Sequence, residues 1–329
     1  MKPHVASLAA LLVLPGLVTG CLFLPSDLLS SFVLNPETTC QDLVARLRLG
    51  SLPDASTPTD IGLQFESVTV QSANGQWLSA WFVPAQEDGQ LDPNAAGTVL
   101  LMHGTDGSQA CTLPWVLVGA SNHMHVVTFD YQGYGESGGR PDIATQLDDS
   151  EALLNWILGD DAPARQRVHL LGTSLGTGPA LGLATLRTKP QIQSVALDGA
   201  YDPVAMVEAM QPYLHPIIFP LASLSARLGF AWLFATRDRL GEMSVPVMFL
   251  HAENDATTPL AGAQTLFDLV GSSAKSFWVF HGLTHIQPLF WSTHRYVSLL
   301  VTFWRDPTAQ PSYTAYVTDD SIRVPDLSP

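Results

Sequence analysis

The sequence predicts an α/β fold in which a mostly parallel, eight-stranded sheet is flanked by helices. Two strands come first, because residues 63–70 and 77–83 have β-type patterns and the turn-forming pair Asn74-Gly75 joins them as a hairpin. Six short apolar runs follow, as expected for parallel strands that are buried on both faces. These runs lie at residues 98–102, 126–129, 168–171, 194–197, 245–250 and 276–280.

Stretches with helical periodicity fill the gaps between these runs, at residues 143–158, 175–187, 261–269 and 294–304. Regular alternation of strand and helix is typical of a parallel sheet wrapped by helices. The chain has 329 residues, and 46% of them are apolar, which is enough for a sizeable core. The predicted domain therefore covers residues 61–304.

The charge of the chain restricts the classes of partner. The chain has thirty acidic and fifteen basic residues, so its formal net charge is −15. Such a chain repels phosphate backbones, so we expect no nucleic-acid partner. Electrostatic attachment to anionic lipid headgroups is disfavoured for the same reason. A small-molecule substrate is compatible with this composition.

The N-terminus has the pattern of an export signal. Lys2 precedes an almost wholly apolar run at residues 5–18, which is short for a membrane-spanning helix, and the segment ends in Val18-Thr19-Gly20-Cys21. It resembles a bacterial lipoprotein signal, which implies cleavage after residue 20 and a lipid on Cys21. The alternatives are an ordinary signal peptide or an uncleaved anchor. We expect an exported, membrane-anchored lipoprotein of a bacterial cell envelope.

Three further segments depart from the pattern of the domain. Residues 21–60 are rich in proline and are predicted to be a tether from the lipid, with a short helix near 41–48. Residues 203–242 form a very apolar insert that we expect either to cover the active site or to face the bilayer. Residues 305–329 are predicted to be a surface extension. Cys40 and Cys111 either pair, as an exported protein allows, or remain buried and free.

The strongest chemical signal is Gly172-Thr173-Ser174-Leu175-Gly176, placed between a buried strand and a helix. This arrangement is a nucleophile elbow, in which flanking glycines relieve crowding on a strained turn. Ser174 is therefore predicted to project from the sheet edge as the nucleophile.

A second loop follows an earlier strand and reads His103-Gly104-Thr105-Asp106-Gly107. It can direct the backbone N–H of Thr105 towards a developing oxyanion, with the N–H of Leu175 as its partner. We expect His103 to order this loop without transferring protons.

A third loop makes the likeness to a known family specific: Asp130-Tyr131-Gln132-Gly133-Tyr134-Gly135-Glu136-Ser137. Together with His-Gly and Gly-x-Ser-x-Gly, this series resembles the α/β-hydrolase superfamily, near its serine esterase and serine aminopeptidase-like branches. The likeness spans residues 63–304. Gln132 stands where the family often has arginine, which blurs the subfamily but not the family.

The acid and the base follow the nucleophile in this fold, in that order. The family's acid position falls on Asp255, while Asp198, at the end of an earlier strand, is a competitor. Two histidines are candidates for the base: His281, at the end of the last strand, and His285, in the loop beyond it. We predict Asp255 and His285, since the family places its base in that loop.

The sequence thus predicts a serine hydrolase that cleaves an ester or small amide of an acyl substrate. No cofactor or metal is implied, because neither a dinucleotide fingerprint in context nor a ligand-type His/Cys cluster is present. A peptidase of the same fold is one alternative, and it needs a site for a peptide terminus that the sequence does not reveal. A non-catalytic binding lipoprotein is the other, and a missing triad member would favour it.

Overall fold

The structure is a computed structural model that describes residues 30–31, 33–42, 55–87, 89–159, 167–209, 211–213, 215–216, 219–309 and 313–317. Its strands, numbered along the chain, are β1 Glu66–Gln71, β2 Trp77–Val83, β3 Gln86–Glu87, β4 Gln90–Leu91, β5 Gly97–Met102, β6 Met124–Phe129, β7 Val168–Thr173, β8 Ile192–Asp198, β9 Val247–Ala252, β10 Lys275–Phe280 and β11 Tyr313–Val317. Its α-helices are α1 Leu113–Ala120, α2 Gln146–Leu158, α3 Thr177–Thr185, α4 Pro203–Glu208, α5 Phe219–Gly229, α6 Ala231–Asp238, α7 Leu260–Leu269, α8 Pro288–Trp291 and α9 Thr293–Arg305.

The central sheet has the strand order β1-β2-β6-β5-β7-β8-β9-β10-β11. β1 pairs antiparallel with β2, and β2 pairs antiparallel with β6, whereas the remaining neighbours are parallel. The eight predicted strands and the mostly parallel sheet are confirmed. β3 and β4 form a separate two-stranded ribbon.

A ninth strand joins this sheet from a segment that we predicted to be a surface extension. β11 pairs in parallel with β10 over its whole length. It has only five residues and lies beyond a proline-containing stretch, so its alternation is too short to detect in the sequence. An edge strand requires one neighbour only, and β10 supplies it.

Helices cover both faces of the sheet and bury its middle strands. α2, α3, α6 and α7 contribute to one hydrophobic cluster, and α1, α8 and α9 contribute to the other. Every residue of β5, β7 and β9 is buried, as expected for parallel strands with helices on both faces. The sheet therefore provides a rigid platform whose carboxyl edge carries the loops with the predicted chemistry.

The described part of the predicted tether packs against the domain. Ser30 and Leu34 are buried, and Asn35 forms an isolated parallel bridge with Asp106. Cys40 and Cys111 form a disulfide, which settles the alternative that the sequence left open. Residues 40–42 are helical, and the rest of the helix predicted near 41–48 lies outside the described residues. The predicted signal segment, with its proposed lipid attachment site, also lies outside them.

The apolar insert folds into α4, α5 and α6 between β8 and β9. α6 packs on α3, the helix that follows the predicted nucleophile, and buries Leu233 and Phe234. Trp232 of α6 donates a hydrogen bond from Nε1 to the carbonyl oxygen of Ile143 at 2.9 Å. Within the described ranges, no helix is both long and apolar enough to cross a bilayer.

Candidate active site

Ser174 stands on the sharp turn between β7 and α3. Its φ of 51° lies in the left-handed region, which a side chain other than glycine rarely adopts. Gly172 and Gly176 make the turn possible: a Cβ at Gly172 would collide with the Gly176 carbonyl, and one at Gly176 would collide with the Met102 carbonyl. A single turn of 3₁₀-helix, Ser174–Gly176, then leads into α3. The local sequence thus holds the Ser174 hydroxyl at the carboxyl edge of the sheet.

A hydrogen-bonded chain of two further side chains, each from its own loop, begins at this hydroxyl. The Ser174 Oγ–H donates to His285 Nε2 at 2.8 Å, and His285 Nδ1–H donates to Asp255 Oδ2 at 2.7 Å. All three side chains are buried. The structure therefore places the predicted nucleophile, base and acid in one continuous hydrogen-bonded chain.

The Asp255 carboxylate is held by the loop that follows β9. Its Oδ1 accepts the backbone N–H groups of Thr257 and Thr258, and its Oδ2 accepts the Thr258 hydroxyl at 2.9 Å. Burial raises the pKa of Asp255, but its hydrogen bond and charge interaction with His285, together with the Thr258 N–H, leave the pKa below its usual value. Asp255 is thus suited to remain ionised beside an imidazolium.

Asp198, the competing acid, has another partner. Its Oδ2 accepts the Tyr296 hydroxyl at 2.7 Å, and the Tyr296 oxygen accepts Trp115 Nε1–H at 3.0 Å. Burial raises the pKa of Asp198 to about 6, although the Tyr296 hydrogen bond opposes that shift. Asp198 thus ends a buried series of hydrogen bonds that runs from Trp115 through Tyr296. His285 is bonded to Asp255 and not to Asp198.

His281, the competing base, lies away from the nucleophile. Its side chain is 62% exposed, and its Nδ1 is 2.7 Å from the Glu253 carboxylate. His285 occupies the loop between β10 and α8, and Ile286 beside it has a φ of 48°, an unusual conformation for a β-branched residue. Such strain concentrates at functional sites, and here it lies in the turn that carries the imidazole.

The predicted oxyanion donors flank Ser174. Gly104 lies against the nucleophile, since a Cβ there would be 3.1 Å from Ser174 Cβ. Within the described part of the chain, no protein oxygen accepts a hydrogen bond from the Thr105 N–H. The Leu175 N–H belongs to the first turn after the nucleophile, where helix-type donors lack an intrahelical acceptor. Both N–H groups are therefore available to a ligand oxygen.

His103 orders this loop through its own backbone neighbour. Its ring Nδ1 is 2.8 Å from the Gly104 carbonyl oxygen, which belongs to the same peptide unit as the Thr105 N–H. The ring packs against Tyr131 and Tyr134. Burial lowers the pKa of His103 to about 4, although the Gly104 hydrogen bond opposes this shift. A neutral His103 that donates to Gly104 fixes the direction in which the Thr105 N–H points.

The cleft beside Ser174 is small and has walls that the sequence did not reveal. Its volume is about 30 Å³, which is room for about two water molecules. Besides Ser174 and His285, its lining consists of His103, Gly104, Thr105, Asp106, Cys111, Thr112, Trp115, Thr173 and Ile286. Cys111 and Trp115 belong to the segment that contains α1, a helix that the sequence analysis missed because it is short and has proline near its start.

None of the described residues of the apolar insert is among these lining residues. Both placements expected for the insert therefore stay predictions, but its described residues do not line this cleft. The reason is local: Leu233 and Trp232 approach Gly178 and Gly182 of α3, where the absence of side chains lets α6 pack closely. The insert supports the helix behind the nucleophile rather than the space in front of it.

Comparison with known proteins agrees with this fold. A model of the alpha/beta hydrolase family matches residues 99–325. The chain belongs to this family. The matched region extends from β5 to beyond β11 and includes the loops that carry Ser174, Asp255 and His285.

Individual relatives are distant. Protein bem46 of Schizosaccharomyces pombe is 25% identical over 239 residues, which cover 72% of this chain and 76% of the relative. Lysophosphatidylserine lipase ABHD12 of Danio rerio is 28% identical over 212 residues, covering 60% of this chain and 54% of the relative. Among solved structures, the esterase Pf2001 of Pyrococcus furiosus superposes with a TM-score of 0.62 at 16% identity, covering 83% of this chain and 97% of the esterase. At that identity the structural likeness establishes the fold alone.

Proposed function

We propose that this protein is a serine hydrolase that cleaves a carboxylic ester, or a small amide, through an acyl-enzyme. The observation that carries the proposal is the hydrogen-bonded chain from Ser174 through His285 to Asp255. A nucleophile bonded to a base, with the base oriented by a third group, is the arrangement that acyl transfer requires. Membership of a hydrolase family supports the same reaction class.

In the proposed mechanism, Ser174 Oγ attacks the acyl carbonyl carbon while His285 Nε2 takes the hydroxyl proton. The carbonyl oxygen becomes an oxyanion between the N–H groups of Thr105 and Leu175. His285 then returns the proton to the departing alcohol or amine, which leaves the acyl group on Ser174. Water, deprotonated by His285, releases the acid. Asp255 stabilises the imidazolium in each step.

The small cleft favours a short acyl chain. A volume of about 30 Å³ beside the nucleophile leaves room for few carbon atoms, and Trp115 and Ile286 provide apolar contact for them. An ester is the better substrate class than a peptide, since the described lining contains no lysine or arginine to hold a peptide carboxylate. Its carboxylate, Asp106, is engaged by the hydroxyl groups of Thr105 and Thr38.

We further propose that the protein is a lipoprotein anchored through Cys21. The sequence pattern that ends in Cys21 supports this, as does the place where the N-terminal segment meets the domain. The Ser30 hydroxyl accepts the Ile143 N–H, and the Ile143 carbonyl accepts Trp232 Nε1–H, so the chain arrives beside the insert. There α5 exposes an apolar stripe, Leu221, Leu224 and Leu228, at the three- and four-residue spacing of one helix face. A bilayer is a suitable environment for that stripe.

The test is hydrolysis of p-nitrophenyl acetate, butyrate and octanoate by the wild type and by Ser174→Ala. The wild type should turn over the acetyl and butyryl esters faster than the octanoyl ester, and Ser174→Ala should lose turnover of all three. Ser121→Ala, a serine exposed at the end of α1, is the matched control and should retain full activity. Wild-type rates no higher than those of Ser174→Ala would contradict the proposal.

A further inference from the structure

Residues 33–40, called here the strap, lie across the loop that supplies the proposed oxyanion donor, Gly104–Gly107. The strap pairs with the loop through its backbone: the Asn35 N–H donates to the Thr105 carbonyl at 2.9 Å, and the Gly107 N–H donates to the Asn35 carbonyl at 3.3 Å. The Thr38 hydroxyl adds a long hydrogen bond to Asp106 Oδ1 at 3.5 Å. A segment distant in sequence thus bonds to three consecutive residues of this loop, Thr105, Asp106 and Gly107.

The strap completes the restraint on the peptide units around Thr105. The unit before Thr105 is held by His103, through the Gly104 carbonyl. The unit after it is held at the Thr105 carbonyl, which accepts both the Tyr134 hydroxyl at 3.0 Å and the Asn35 N–H. Of these three bonds, the one from Asn35 comes from outside the predicted hydrolase domain, so the strap controls one of the restraints on the direction of the Thr105 N–H.

A covalent bond fastens the strap at its far end. Cys40 is joined to Cys111, which itself lines the cleft beside Ser174. Gly107 fits beneath this junction, since a Cβ there would collide with Cys111 Sγ and lie 3.3 Å from the Thr38 carbonyl. Its φ of 76° also favours glycine. Strap, disulfide and loop therefore fit together as one closely packed unit.

We infer that the strap is a positioning element of the oxyanion hole, and that the Cys40–Cys111 disulfide keeps it in place. The inference rests on the proposed function, because it assigns a role in the same reaction. Without the disulfide, the strap depends on non-covalent contacts, and the loop gains freedom to turn the Thr105 N–H away. Stabilisation of the transition state then falls, while binding of the substrate in its ground state changes little.

The experiment uses Cys40→Ser rather than a change at Cys111, because Cys111 itself lines the cleft. Turnover of p-nitrophenyl acetate is measured well below the unfolding temperature, with active sites counted by endpoint titration with a fluorophosphonate. We expect kcat per active site to fall about 10- to 100-fold, up to the range for loss of one oxyanion donor, with KM changed less than about threefold. The affinity of a trifluoromethyl ketone, whose adduct places an oxyanion at the same point, should fall by a similar factor.

Two controls separate positioning from general stability. Ile157→Ala removes buried contacts in α2, away from the site, and should lower the unfolding temperature without changing kcat or inhibitor affinity. Reduction of the wild type by dithiothreitol converts the disulfide to two thiols, with oxidation of the dithiol. It should reproduce the Cys40→Ser kinetics, and oxidised glutathione should restore the wild-type values.

Unchanged kcat and inhibitor affinity in Cys40→Ser, with an active wild type, would overturn the inference and leave the proposed function intact. A loss of kcat in Ile157→Ala equal to that in Cys40→Ser would also overturn it, because general destabilisation would then explain both. A wild type that neither hydrolyses esters nor reacts with the fluorophosphonate would instead remove the proposed function itself.

Discussion

At the scale of single residues, two buried carboxylates at the carboxyl edge of the sheet have different partners. Asp255 accepts the His285 Nδ1–H, whereas Asp198 accepts the Tyr296 hydroxyl. Asp255→Asn should therefore lower kcat by about 10⁴-fold, because the wrong imidazole tautomer is then favoured. Asp198→Asn is the matched control and should retain most of the activity. Steady-state kinetics of both variants on one ester provide the comparison. An inactive Asp198→Asn variant together with an active Asp255→Asn variant would reverse the assignment.

The raised pKa of Asp198 has a consequence for stability. Its folded-state pKa of about 6 lies above the unfolded value of 3.8, so between these values the folded state binds the proton more readily. Ionisation of the buried carboxylate destabilises the fold fully only well above pH 6, and this destabilisation decreases as the pH falls through 6 towards 3.8. Relative to Asp198→Asn, the wild type should gain about 2 kcal/mol of unfolding free energy between pH 7 and pH 4.5, out of about 3 kcal/mol for the complete shift.

Urea unfolding of the wild type and Asp198→Asn at pH 7 and pH 4.5 measures this gain. Groups that do not interact with Asp198 titrate alike in both proteins, so their contributions cancel in the difference. A difference in unfolding free energy that stays constant between the two pH values would contradict the shifted pKa.

Sequence patterns locate some of these residues better than others. Ser174 could be predicted because the elbow needs glycines at fixed positions, and His285 because its loop follows the last strand of the predicted sheet. Asp255 was preferred to Asp198 on the family resemblance alone, because which carboxylate reaches the imidazole depends on the folded loops. Trp115 gave no sequence signal, because its place in the cleft is set by Tyr296 from the distant helix α9.

At the scale of elements, α1 and α6 have opposite relations to the cleft. α1 carries Trp115 into the cleft wall, while α6 packs Trp232 against α3 and Ile143. Trp115→Leu should enlarge the cleft and raise the ratio of octanoyl to acetyl kcat/KM by about tenfold, since each further buried CH₂ contributes about 0.8 kcal/mol. Trp232→Ala, a change in the other tryptophan, should lower stability and leave that ratio within about twofold of the wild type. Equal shifts of the ratio in both variants would contradict this division of roles.

The elements that the sequence failed to predict share a physical cause. The strand β11 and the helix α1 are short, so neither has enough residues to establish a periodic pattern. The packing of the strap was missed because its proline-containing sequence is typical of a linker, whereas its structure depends on partners in the oxyanion loop and on Cys111. Long, strongly patterned elements such as β2 and α2 were predicted to within a few residues.

At the scale of the whole molecule, the proposed lipid on Cys21 and the exposed leucines of α5 are expected to contact the same bilayer. The wild type should partition into the detergent phase of a Triton X-114 extraction, and mass spectrometry should find lipid on Cys21. Cys21→Ser should alter processing and release the protein into the aqueous phase, because the acyl chains supply most of the membrane affinity. Wild-type protein that is recovered wholly in the aqueous phase, without lipid, would contradict the anchor.

The central claim is that Ser174 is an activated nucleophile, and reaction with a fluorophosphonate probe tests it most directly. The probe forms a covalent bond with a serine whose hydroxyl is activated by a neighbouring base, as the Ser174–His285 hydrogen bond implies. We predict one label per chain, located on Ser174 by peptide mass spectrometry, and no label on a folded Ser174→Ala variant. A wild type that stays unlabelled, or a label that persists in Ser174→Ala, would contradict the account.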